Sequence, residues 1–133
     1  KEALIGFSDG SYSAASLAHQ GGGIAIYGFS DTAVLPKADS PLLVAANNLR
    51  LGETVVALTA DGSAATGIIA RVDAKGVHTT LPDIGAGSAA VNLSGDIVGI
   101  GAGATPGLLF SAERITALLT ATSTAATSTT QAR

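Results

Sequence analysis

Short apolar runs separated by glycine-bearing turns recur along most of this chain, and few folds accept that pattern. Residues 3–7 and 11–17 flank Ser8-Asp9-Gly10, and Asp-Gly between two apolar runs is a strong hairpin signal. Gly21-Gly22-Gly23 breaks the chain before the next strand candidate, residues 24–29, which Ser30-Asp31 closes. Asn47-Asn48 reads as a turn. Thr54-Val55-Val56-Ala57-Leu58-Thr59 is β-branched and apolar, bounded by Gly52 and Asp61-Gly62. Residues 66–72 form another candidate, ending at Asp73-Ala74-Lys75-Gly76. Residues 89–93 and 96–100 meet at Ser94-Gly95, a second hairpin signal, and residues 108–111 supply a last strand. The spacing predicts an all-β barrel or sandwich.

One segment departs from the pattern. Residues 112–119 (AERITALL) predict a helix with Ser111 at its N-cap. Residues 120–133 are almost wholly Thr, Ser and Ala, and by composition read as a linker or tail. The apolar content, 47%, comes mainly from Ala, Val, Ile and Leu, which excludes intrinsic disorder as the state of the rest. A net charge of −3 gives no footprint for nucleic acid. The chain has no Cys, so disulfides and thiolate metal sites are excluded. No run reaches the roughly 18 apolar residues of a membrane helix. Lys1-Glu2-Ala3 lacks the charged, apolar, small order of a secretory leader. His19 and His78 are about sixty positions apart with no ligand-spaced carboxylate beside either, so no metal or other cofactor is expected. Gly99-Ile100-Gly101-Ala102-Gly103 does not open a helix, and so does not read as a phosphate cradle.

Five blocks, in order, resemble the HtrA/DegP-type, trypsin-like (chymotrypsin-fold) serine protease domain. Val91-Asn92-Leu93-Ser94-Gly95-Asp96-Ile97-Val98-Gly99-Ile100 is similar to the strand pair after that family's catalytic serine. Ala38-Asp39-Ser40 with Leu49-Arg50-Leu51-Gly52-Glu53-Thr54-Val55-Val56-Ala57-Leu58 resembles its ADS…LRVGxxVVAIG stretch. Thr66-Gly67-Ile68-Ile69-Ala70 resembles TSGIVS, Gly6-Phe7-Ser8-Asp9-Gly10-Ser11 resembles VxLSDG, and Gly107-Leu108-Leu109-Phe110-Ser111 with Arg114-Ile115 resembles GIGFAIPSNRV. The resemblance covers roughly residues 3–119. It implies a nearly complete six-stranded antiparallel barrel over about residues 40–111, a helix after it to residue 119, and residues 1–39 as the remnant of a first barrel.

The same resemblance implies a degenerate catalytic site. Serine proteolysis needs a hydroxyl nucleophile, an imidazole base, a carboxylate that orients the base, and backbone N–H groups for the oxyanion. Ungapped alignment back from Val91 puts the nucleophile at Ala86 and the glycine after it at Gly87. A two-residue slip puts it at Ser88 instead, at the cost of that glycine. Gly85, Gly87 and Ser88 would shape the oxyanion loop, and His78 would line the cleft or sit on a surface strand. The family's aspartate falls on Gly23. Its histidine belongs upstream of the SDG hairpin, before Lys1, while His19 reads as a loop residue. Ala86 is either natural loss or an engineered change.

The implied function is a protease-fold domain without proteolysis of its own, binding a peptide or protein by strand addition. Two alternatives stay open: an HtrA-type endopeptidase whose chain is incomplete or altered to Ala at its nucleophile, and a purely structural β-module. Uncovered edges around residues 3–7 imply self-association or completion by another chain. The family's members are secreted, periplasmic or membrane-tethered.

Overall fold

A computed structural model describes residues 1–37, 41–59 and 61–130, with side chains described as far as Thr122. The Ala38-Asp39-Ser40 block and the last three residues of the chain lie outside the described residues. The chain divides into two compact units, one of Lys1–Ser40 with Leu118–Arg133, which carries the N-terminal sheet, and the other spanning Pro41–Ala117.

The N-terminal unit holds a three-stranded antiparallel meander of β1 (Glu2–Gly6), β2 (Tyr12–Gly21) and β3 (Ile24–Phe29). Asp9-Gly10 makes the first turn as the sequence predicts. Gly10 takes φ +85°, where a side chain would be strained, and its N–H donates to the Phe7 carbonyl at 3.0 Å. The glycine run at 21–23 is less of a break than expected, because Gly21 still pairs with Ile24 and only Gly22-Gly23 turn. His19 is therefore a strand residue opposite Ile26, not a loop residue.

The second unit is a closed barrel of β4 (Thr54–Leu58), β5 (Ala64–Asp73), β6 (Gly76–Thr79), β9 (Leu108–Phe110), β8 (Ile97–Gly101) and β7 (Ala89–Val91), in that order around the ring. The fold is thus mostly β, with the expected six-stranded antiparallel barrel and a helix after it. Every strand sends at least one side chain inward: Val55 and Ala57, Ile69, Val77, Ala90, Val98 and Leu109, joined by Leu81 and Ile84 from the β6–β7 connection. Val55, Ile69, Val77, Val98 and Leu109 are the largest fully buried side chains, and burying a Val, Leu or Ile is worth about 1.5–3 kcal/mol each. Helix α1 (Ala112–Thr130) follows β9. Glu113 in its first turn accepts the Ala46 N–H at 2.7 Å, and Arg114 lies 4.1 Å over the Phe110 ring. The helix continues past the predicted boundary at Leu119. Alanine is the best helix former, and Thr122 Oγ1 satisfies itself by donating to the Leu118 carbonyl at 2.9 Å.

The two meanders β1–β3 and β4–β6 have the same internal register. Gly6 pairs with Tyr12 and Leu58 with Ala64; Glu2 pairs with Ser16 and Thr54 with Ile68. Each residue of the second pair lies 52 positions after its counterpart in the first. The offset holds through the register shift, at Leu17/His19 in one and Ile69/Arg71 in the other, and on to Gly21↔Ile24 and Asp73↔Gly76. The turns match as well. Asp9 and Asp61 each accept the backbone N–H and the hydroxyl of the serine two residues on.

Candidate functional site

The β6–β7 connection carries the residues placed at the nucleophile loop. Leu81 and Ile84 pin it into the barrel core. Between Ile84 and β7 the chain folds back on itself: the Gly85 N–H donates to Asp83 Oδ1 at 2.9 Å and the Ser88 hydroxyl donates to the Ile84 carbonyl at 2.5 Å. The loop lies against β8, since Gly87 N–H reaches the Gly101 carbonyl at 3.0 Å and Gly101 N–H reaches the Ser88 carbonyl at 2.8 Å. Gly101 must be glycine for this approach, because a Cβ there would fall on the Gly85 carbonyl oxygen. Ala86 is exposed at the loop tip, and a Cβ at Gly103 would come within 2.7 Å of its methyl carbon.

Beside this loop the outer face of β4 and β7 forms a cavity of about 520 Å³ lined by Val56, Ala57, Leu58, Thr59, Ser88, Ala89 and Val91. No charged side chain lines it, and only the Thr59 and Ser88 hydroxyls are polar. The volume is in the range of small-ligand pockets. Leu58 is 66% exposed, so the apolar surface is open to a visitor. The ring of strands is closed, and closure removes free edges, so strand addition at the barrel is disfavoured. A peptide would enter this cavity through its side chains. The edges that could take a strand belong to β1 and β3.

The remaining sequence candidates are elsewhere. Gly23 is exposed at the β2–β3 turn with φ +84° and belongs to the N-terminal unit. A carboxylate there would be neither buried nor on regular strand backbone. His78 is on β6, opposite Arg71 on β5. Its Nε2 is 3.0 Å from Asp73 Oδ1 and 3.2 Å from Arg71 Nη2, and Arg71 Nε is 3.0 Å from Asp73 Oδ2. One ring nitrogen cannot donate to Asp73 and accept from Arg71 at once, so the tautomer decides which of the two it bonds. The His78 hydrogen bond is the main cause holding the Asp73 carboxyl below its ordinary value.

Neither histidine is a hydrogen-bond partner of Ser88. The Arg71–Asp73–His78 cluster was missed by sequence reasoning. The signal was there: a four-residue turn at 73–76 returns His78 beside Arg71, with Asp73 at the diagonal. Among the described residues, no three His, Asp or Glu side chains are grouped to hold a metal ion, and no helix is long and apolar enough to cross a membrane. No family model matches the chain, and no curated protein matches it.

Proposed function

We propose that this chain is a trypsin-like, HtrA-type serine-protease-fold domain that has lost proteolysis and acts by binding a peptide or protein segment. One observation carries the reading: the only hydroxyl in the 85–88 loop, that of Ser88, is spent on the Ile84 carbonyl, directly beside an uncharged apolar cavity. A serine hydroxyl without an imidazole to take its proton is a poor nucleophile. Ala86, the other candidate position, has no hydroxyl. What the loop keeps is shape, and the adjoining surface of Val56, Leu58, Ala89 and Val91 suits apolar side chains.

Two measurements test it. A fluorophosphonate probe should label no residue; stoichiometric labelling of Ser88 would overturn the loss of proteolysis. A library of uncharged apolar hexapeptides, titrated by calorimetry, should include saturable binders that Leu58→Asp abolishes. Leu58 is largely exposed, so that variant keeps its fold. Binders unaffected by Leu58→Asp, or no binder in the library, would overturn the binding role of the cavity.

A further inference from the structure

The barrel is two meanders face to face. The first, β4–β5–β6, is closed by the second, β7–β8–β9, in one way: first strand on first strand (β4 with β7) and third on third (β6 with β9), both antiparallel. That arrangement is what a two-fold axis produces when it relates two copies of one meander.

The N-terminal sheet repeats the first meander, strand for strand and shift for shift, 52 positions earlier. It has no second meander among the described residues. Among the described residues, no strand pairs with the outer side of β1 or of β3. The positions matching the barrel's buried core are apolar as well, although Ser13 and Gln20 stand where Ala65 and Val72 pack against the barrel core. The positions matching Val55, Ala57, Ile69, Val77 and Leu81 are Ala3, Ile5, Leu17, Ala25 and Phe29. In the barrel all five are buried; in the sheet four are half-buried and Ala25 is exposed. The edge strand β3, IAIYGF, has no charge and no proline, the usual guards of a free edge.

We propose that two copies of this chain close one shared six-stranded barrel from their N-terminal sheets, with β1 on the partner's β1 and β3 on the partner's β3. A second copy is the occupant that the geometry favours. A two-fold axis makes both pairings antiparallel in one operation and reproduces the strand order of the existing barrel. Pairing one edge alone would leave the other without a strand, whereas closure gives both edges a partner. The inward positions mix small side chains (Ala3, Ala25) with large ones (Ile5, Leu17, Phe29), which lets two copies interdigitate.

The test is sedimentation equilibrium on the full chain across the micromolar range, with variants at two exposed alanines. The wild type should sediment at twice 12.9 kDa. Ala25→Lys puts a charge inside the shared barrel but on the surface of a lone copy, and should weaken the dimer by at least about 100-fold, since a buried charge without a partner is strongly unfavourable. Ala14→Lys, paired with Leu4 on the opposite face, should leave the dimer intact. Amide exchange adds a readout free of mutation: protection of β1 and β3 in the wild type should rise with concentration. A wild-type monomer throughout the range overturns the proposal, as does protection of β1 and β3 that ignores concentration. A dimer as tight in Ala25→Lys as in the wild type places the contact elsewhere and overturns it too.

Discussion

The N-terminal sheet and the first half of the barrel are built to one register and differ in what covers them. Ile69 is fully buried, while Leu17, at the matching position, is half-buried. The Asp-Gly-Ser turn, the lengths of the first two strands and the register shift are the same, so none of them makes the core. Closure does. Local sequence is enough to set a meander, because each turn fixes the pairing of the strands that flank it. Burial needs the second meander, which is far away in sequence.

The largest expected effect exploits this pair. Ile69→Ala should cost about 2–5 kcal/mol, since the barrel cannot collapse around the lost side chain. Leu17→Ala should cost about 1 kcal/mol, the transfer term of a partly buried side chain. Urea unfolding in dilute solution measures both. Equal losses would mean that the sheet is covered as completely as the barrel.

A second contrast concerns Gly67, whose counterpart is Ala15. A Cβ at Gly67 would lie 2.8 Å from the Leu81 nitrogen and 3.0 Å from Thr80 Oγ1. Thr80 cannot easily retreat, because its N–H is bonded to the Ile68 carbonyl and its hydroxyl accepts the Ile68 N–H. In the sheet, the position matching Thr80 is Gly28 and the methyl of Ala15 is accommodated with 2% exposure. Gly67→Ala should therefore destabilise by about 1–3 kcal/mol through overpacking. Adding Thr80→Gly should recover part of that loss. A thermal melt of the single and double variants decides, and a neutral Gly67→Ala would show that the barrel is looser here than its contacts imply.

These contrasts also mark what was legible in the sequence. Asp-Gly and Ser-Gly turns are local chemistry, so the β1–β2, β4–β5 and β7–β8 hairpins could be read directly, and with them the β class. The barrel's extent, about residues 40–111, came from the family resemblance; the strand spacing alone left barrel or sandwich open. The repeat was not legible. Across the matched strands the two meanders share Asp-Gly-Ser at the turn and Ala18/Ala70, but little else. Their common register is a property of backbone pairing and turn length, which side-chain identity barely records. His19 was misread because three consecutive glycines look like a break, although Gly21 still belongs to the ladder. At the candidate site, the absence of a hydroxyl at Ala86 was plain. The fate of the Ser88 hydroxyl was not, since it depends on how the loop folds over Gly101.

The smallest effect separates the two matched turns by pH. Both carboxylates accept two bonds from a serine, Ser11 for Asp9 and Ser63 for Asp61. Asp61 has one donor more, the Thr59 hydroxyl, where the first turn has Phe7. Thr59 is the main cause holding Asp61 down to about 2, from an ordinary 3.8, with Ser63 next. Asp9 is lowered too, chiefly by the Ser11 hydroxyl. A carboxyl lowered on folding contributes stability that is fully present above its unfolded value and is lost as pH falls through the folded one. The contribution of Asp61 should thus fade between pH 3.8 and about 2. Both groups are on the surface, so the change is small. Carboxyl-carbon NMR titration reads it directly: Asp61 should titrate below Asp9, and Thr59→Val should raise Asp61 toward it while leaving Asp9 unmoved. Coincident midpoints in the wild type would show that the Thr59 bond is not held in solution, and the two turns would then be equivalent in electrostatics as well as in register.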